Sequence, residues 1–298
     1  MKKTLVLLGV WCITALSCTK EKTAYRPDIT PGAPGNAGYQ NIATAHSGDF
    51  DICIQTLNGT LHRGYNDLRI YISDQQTHAK VDISQIRIRP ISTTTEGLNS
   101  SAPHQRELIY HPEEGYFNGH AVFPEVSGEQ QNWLFDIEFT ANDQQHALQL
   151  PIDVEEQPNS NLSITAFSGK DGGDYLIALV APQQPQVGEN KLVAGIYRLD
   201  VEGQQRGYIE VNGYTLLLDP RMPEPSMGNH SSPNNVDLTQ QDDGLYHGVV
   251  NYTMTGNWTL NLIMLNHEGR IIKGTEVPDD FTPGVAGEKS ELHIDILF

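Results

Sequence analysis

Apolar and polar residues alternate along many short stretches of this chain, with the period of two that marks strands rather than the longer spacing of a helix. Residues 50–56, 68–73, 83–91, 116–123, 133–140 and 148–154 are rich in Ile, Val, Tyr and Phe, and Gly, Pro and Asn part them. The pattern returns in 175–181, 192–199, 214–218, 245–254, 258–265 and 292–298. Such runs predict antiparallel strands joined by turns. No segment carries a sustained helical period, so helices are expected to be short or absent. Trp258, Leu260, Leu262 and Met264 fall on one strand face, and Thr259 and Asn261 between them are expected to face water. Met254 falls with Val250 and Tyr252 on a face expected to point into the core. Trp133 and Trp258 are expected to plug the space between two sheets.

The second set of runs repeats the first. Gly48-Asp49-Phe50 recurs as Gly173-Asp174-Tyr175, and Gly64-Tyr65-Asn66-Asp67-Leu68 as Gly188-Glu189-Asn190-Lys191-Leu192. Pro90 matches Pro220, and Asn99 to Pro103 matches Asn229 to Pro233. Glu113-Glu114-Gly115 matches Asp242-Asp243-Gly244, and Trp133 matches Trp258. The matches keep their order, so two copies of one domain are expected, over 41–156 and 162–298, with a linker around 155–160. Six or seven strands in roughly 120 residues predict a sandwich of two antiparallel sheets.

The first residues set the compartment. Lys2 and Lys3 precede an apolar run over 5–16 that is too short to span a bilayer and reads as a signal peptide. It ends at Ala15-Leu16-Ser17-Cys18, which resembles the lipobox of bacterial lipoproteins. Cleavage would leave 1–17 as signal and a diacylated Cys18 as the membrane anchor, and acyl chains in pairs hold firmly where one does not. Thr19 in place of Asp points to the outer membrane, on its periplasmic face or the cell surface. Residues 18–40, with Pro27, Pro31 and Pro34 among glycines, read as a flexible tether.

Charge narrows the partners. The chain has 19 Lys and Arg against 37 Asp and Glu, a net charge of −18, and loss of the signal removes two of the lysines. No run of basic residues interrupts the acidity, which argues against nucleic acid. Cys53 alternates with Ile52 and Ile54 and reads as a small strand hydrophobe, so no disulfide framework is expected. The 11 histidines include no HExxH, and no Gly-x-Ser-x-Gly elbow occurs. Glu113-Glu114, Asp242-Asp243 and Asp279-Asp280 read as solvated turns, because neighbours on a strand face opposite ways. No enzyme is expected.

One stretch carries candidate chemistry. Residues 219–230 hold Pro220, Pro223 and Pro225, which are expected to keep them out of any helix and out of the middle of a sheet. The same stretch holds Met222, Met227 and His230. Thioethers and imidazole suit soft monovalent copper, Cu(I), and not calcium or magnesium. His247 is placed to orient or complete such a set. The competing reading has Met222 and Met227 capping the open end of the sandwich, with His230 capping backbone groups.

The second copy resembles the YtkA-like family, relatives of FixH. The resemblance rests on Gly188-Glu189-Asn190, the 222–230 loop, Gly244-Leu245-Tyr246-His247-Gly248 and Gly256-Asn257-Trp258. It implies an immunoglobulin-like sandwich in the envelope, in a family whose members travel with copper handling and cytochrome oxidase assembly. The first copy departs from the pattern: Ser92, Gly97 and Ser100 stand where the second has Met222, Met227 and His230. The expectation is an all-β chain: two tandem immunoglobulin-like antiparallel sandwiches behind a lipoprotein signal and tether. Its role is binding, either Cu(I) capture or delivery at the 222–230 loop, or docking of an envelope partner as an accessory module with no metal site.

Overall fold

The computed structural model describes residues 38–94, 99–202 and 205–298; Cys18, the tether up to residue 37 and Gly97 lie outside them. Strands follow one another with no helix among the described residues. The first half gives β1 (Tyr39–Ser47), β2 (Phe50–Leu57), β3 (Leu61–His62), β4 (Gly64–Asp74), β5 (Ile83–Thr94), β6 (Asn99–Ser101), β7 (Ile109–His111), β8 (Tyr116–Phe123), β9 (Gln131–Ala141), β10 (Gln144–Ile152) and β11 (Val154–Glu155). The second gives β12 (Ile164–Ser168), β13 (Asp174–Ala181), β14 (Gly188–Glu202), β15 (Gln205–Glu210), β16 (Thr215–Met222), β17 (His230–Ser231), β18 (Val236–Gln240), β19 (Tyr246–Tyr252), β20 (Asn257–Leu265), β21 (Ile271–Lys273) and β22 (Leu292–Leu297).

Alternation decides the layers. In β2, Phe50, Ile52, Ile54 and Thr56 are buried while their neighbours are half-buried, and β4 repeats the pattern from Gly64 to Ile72. One sheet runs β1-β2-β4-β8-β7, and β10-β9-β5-β6 faces it. Ile52, Ile70, Phe123, Phe135 and Ile137 fill the space between, with Trp133 at 3% exposure. The second half builds the same sandwich. β12-β13-β14-β19 faces β16-β20-β22, and β18 pairs with both β19 and β16. Its core gathers Ile177, Leu192, Tyr246, Tyr252, Leu260 and Met264 around a fully buried Trp258. Both tryptophans plug their cores as the pattern predicts, and each indole N–H donates to a loop carbonyl, Trp133 to Glu125 and Trp258 to Met254.

The repeat extends to individual hydrogen bonds. Asn66 Nδ2 donates to the carbonyls of His62 and Gly64, and its Oδ1 accepts from His62 N. Asn190 does the same with Gln186 and Gly188. Each clamp satisfies backbone groups that a buried loop would otherwise leave unpaired. Pro90 accepts from Ala102 N, and Pro220 from Ser232 N.

The halves pack on one another. Val122, Leu176, Ala178 and Tyr197 form a small third core, with Tyr65 and Ile164 against it. His120, 5% exposed, stacks on Tyr65 and meets the Tyr197 hydroxyl at 3.3 Å. Burial is the main reason its pKa falls to about 4; the nearby His104 adds to the fall and Asp243 opposes it. Among the described residues a single parallel bridge, Arg206 to Ser100, joins a sheet of one half to a sheet of the other.

Three expectations are corrected. Thr259 and Asn261 are buried, at 2% and 3% exposure, because the segment between β21 and β22 lies over the face that alternation assigns to water. Ser290 N donates to Asn261 Oδ1, and Asn261 Nδ2 to the Asp219 carbonyl. Met254 is 37% exposed, because β19 ends at Tyr252 and Met254 sits in the turn before β20. Pro220 lies inside β16, paired with Leu260. It is tolerated there because its carbonyl, and with it the missing N–H, faces the side of β16 where only the two residues of β17 pair nearby.

Candidate functional site: the rim of the second sandwich

β16 continues to Met222, so the loop proper is residues 223–229, between β16 and β17. Met222 and His230 are partners across that narrow ladder. Met227 N donates to the Glu224 carbonyl and His230 N to the Met227 carbonyl, so two successive turns carry the chain back. The equivalent pair in the first half is Ser92 opposite Ser100.

The four candidate residues differ in what they touch. Met222 is 1% exposed and belongs to the second core. A Cβ on Gly256 would meet the Met222 methyl at 2.7 Å, so the glycine of Gly256-Asn257-Trp258 makes room for Met222. Met227 is half-buried against the same core. His230 lies 6.0 Å from the Trp258 ring, and its Nε2 meets the Thr253 hydroxyl at 2.8 Å. His247 is not brought to this group. It sits on β19, its Nε2 2.9 Å from Asp243, six residues before Thr253 and thus about 20 Å away along the strand. Thr253 instead places Met254, the next residue, beside His230's anchor point. Met227 and His230 are half-buried, Met254 is exposed and Met222 lies in the core.

A strap holds the loop. Gly287 N donates to the Pro223 carbonyl at 2.7 Å, and Asn229 Nδ2 to the Pro278 carbonyl at 3.0 Å. Arg221, 8% exposed at its side chain, reaches Asp219, the Pro278 carbonyl and Asp279. Phe281 lies over Gly228, 3.7 Å from where a Cβ would stand; Gly228 has φ +63°, so no side chain intervenes. The sequence gives no warning of the strap. Its residues show no apolar alternation, and Asp279, solvent-exposed as expected of Asp279-Asp280, also pairs with Arg221. Among the described residues, no three His, Cys, Asp or Glu gather into a group able to hold a metal ion. Thioether and imidazole groups, as at Met227 and His230, suit soft cations better than hard ones.

Residues 170–262 match the YtkA-like family model. The YtkA-like stretch thus runs from the turn before β13 to the middle of β20 and contains the whole rim loop. No curated protein matches the chain. Among solved structures, a crystal structure of a DUF4785 family protein from Legionella pneumophila is similar over 75% of this chain and 55% of its own, at 9% identity and a TM-score of 0.25. The chain thus spans about half the length of that protein.

Proposed function

We propose that this protein is a lipid-anchored accessory protein of the bacterial envelope, held in the outer membrane through Cys18, without catalytic activity. Its work is binding at the rim of the second sandwich. The observation that carries this reading is the strap. The first half joins β9 to β10 by a two-residue turn, Asn142-Asp143, whereas the second inserts residues 266–291 between β20 and β22 and fastens them to the loop. Ordering that much chain costs conformational entropy, and a stiff loop repays it where a ligand must be met in one geometry. The YtkA-like match supports the envelope role.

The finer reading is Cu(I) capture or delivery. Met227, His230 and Met254 would hold the ion, and Met222 would back them from the core. Bound copper would supply a soft cation for transfer to another envelope protein. Competitive titration of the mature chain with Cu(I) under reducing conditions tests this. The expected result is tight binding that a Met227→Leu, His230→Ala variant loses while keeping its fold. A native chain that binds no Cu(I) removes the metal reading and leaves the rim as the dock for a protein partner, a role for which exposed Phe281 and Val285 on the strap are suited.

A further inference from the structure

The chain is strongly acidic and its basic residues are scattered in sequence, yet the fold collects four of them at one place. A cleft of about 570 Å³ opens where the two sandwiches meet. Arg87 and Arg89 project into it from β5, Arg106 from the segment after β6, and Arg206 from β15. Arg89 is answered by Asp136 at 2.6 Å. Arg87, Arg106 and Arg206 are exposed and make no salt bridge with any described residue. Their field is felt by His104 in the same wall. Burial lowers its pKa first, and the charges of Arg106 and Arg89 lower it further, against the hydrogen bond its Nδ1–H donates to the Ala102 carbonyl.

We propose that this cleft binds an acidic saccharide. The guanidiniums of Arg87, Arg106 and Arg206, none in a salt bridge although Glu138 stands across the ladder from Arg87 and Glu210 lies in the field of Arg106, offer planar forks that match a carboxylate or phosphate oxygen pair. The carboxylates of Glu107, Glu138 and Asp200 line the same cleft and carry acceptors for sugar hydroxyls. The half-buried Tyr208, packed against the third core, also lines the cleft and supplies an aromatic edge to it. A simple anion would leave the carboxylates without a donor and a neutral sugar would leave the arginines unmet, so a ligand with both anionic groups and hydroxyls uses the whole lining. The size lies in the range of small-ligand sites. The two walls belong to different sandwiches, so the site exists only while they are docked, and it is independent of the rim.

Isothermal titration of the full mature chain with trigalacturonate, maltotriose and inorganic phosphate tests the proposal. Trigalacturonate should bind, maltotriose should give no heat, and an Arg87→Gln, Arg106→Gln variant should bind trigalacturonate at least about tenfold more weakly, since two charge-assisted contacts are lost. Both arginines are exposed, so the variant should fold, and Arg63→Gln, outside the cleft lining, should bind as the native chain does. Absence of trigalacturonate binding, equal binding of maltotriose, binding of phosphate alone, or undiminished affinity in the double variant would overturn it.

Discussion

The two sandwiches share a frame and differ at one end. Each is closed by a tryptophan, clamped by an asparagine near the start of a long strand, β4 or β14, and pairs its proline strand with a short returning strand. At that return the first half has Ser92 opposite Ser100. The second half has Met222 opposite His230 and a strap fastened to the loop between them. Duplication keeps what folding requires. What one copy added, and the other lacks, is where the chain departs from the needs of folding.

The comparison can be tested from its largest effect downward. Trp133→Ala and Trp258→Ala should each cost their own sandwich ~3–5 kcal/mol, the usual range for a buried aromatic. Urea unfolding should show similar losses, and a large inequality would break the equivalence of the two cores. Between the copies, His120 should make the docked state sensitive to acid. Its folded pKa of about 4 lies below its ordinary 6.5, so the unfolded chain binds the extra proton between those values. Stability is then fully present above pH 6.5 and is lost as pH falls toward 4, by about 3 kcal/mol in all. A His120→Gln variant should flatten that part of the stability–pH curve. Asn66→Ala and Asn190→Ala each strip three backbone hydrogen bonds, and each should cost about 1–3 kcal/mol by the same denaturation assay. The first copy has Ile91 where the second has Arg221, so Arg221→Met should cost about 1 kcal/mol and speed amide exchange at Gly287 while leaving the first sandwich unchanged.

Much of the frame is legible in the sequence because strands write their burial into alternation. Trp258, Leu260, Leu262 and Met264 are buried as their spacing predicts. The matching of Ser92 with Met222 and of Ser100 with His230 holds in strand register. Alternation, however, reports only the face that meets the core. It is blind to a polar strap laid over the other face, which is why Thr259 and Asn261 read as solvent-facing. It also runs past the end of a strand, as at Met254. The site suffers most from these limits. Met222 reads as a ligand from its neighbours in sequence, but its methyl is packed against Gly256. The arginine cleft is invisible because Arg87 and Arg206 meet only after both halves fold.

Methyl NMR of the methionines during addition of Cu(I) tests the central claim most directly, because after signal removal each remaining methionine reports a different layer of the second sandwich. Met227 and Met254 should shift or broaden together with the His230 ring, while the core methyl of Met264 stays in place. Equal disturbance of all four methyls, or none at saturating Cu(I), would contradict the account of the rim as a metal-binding surface.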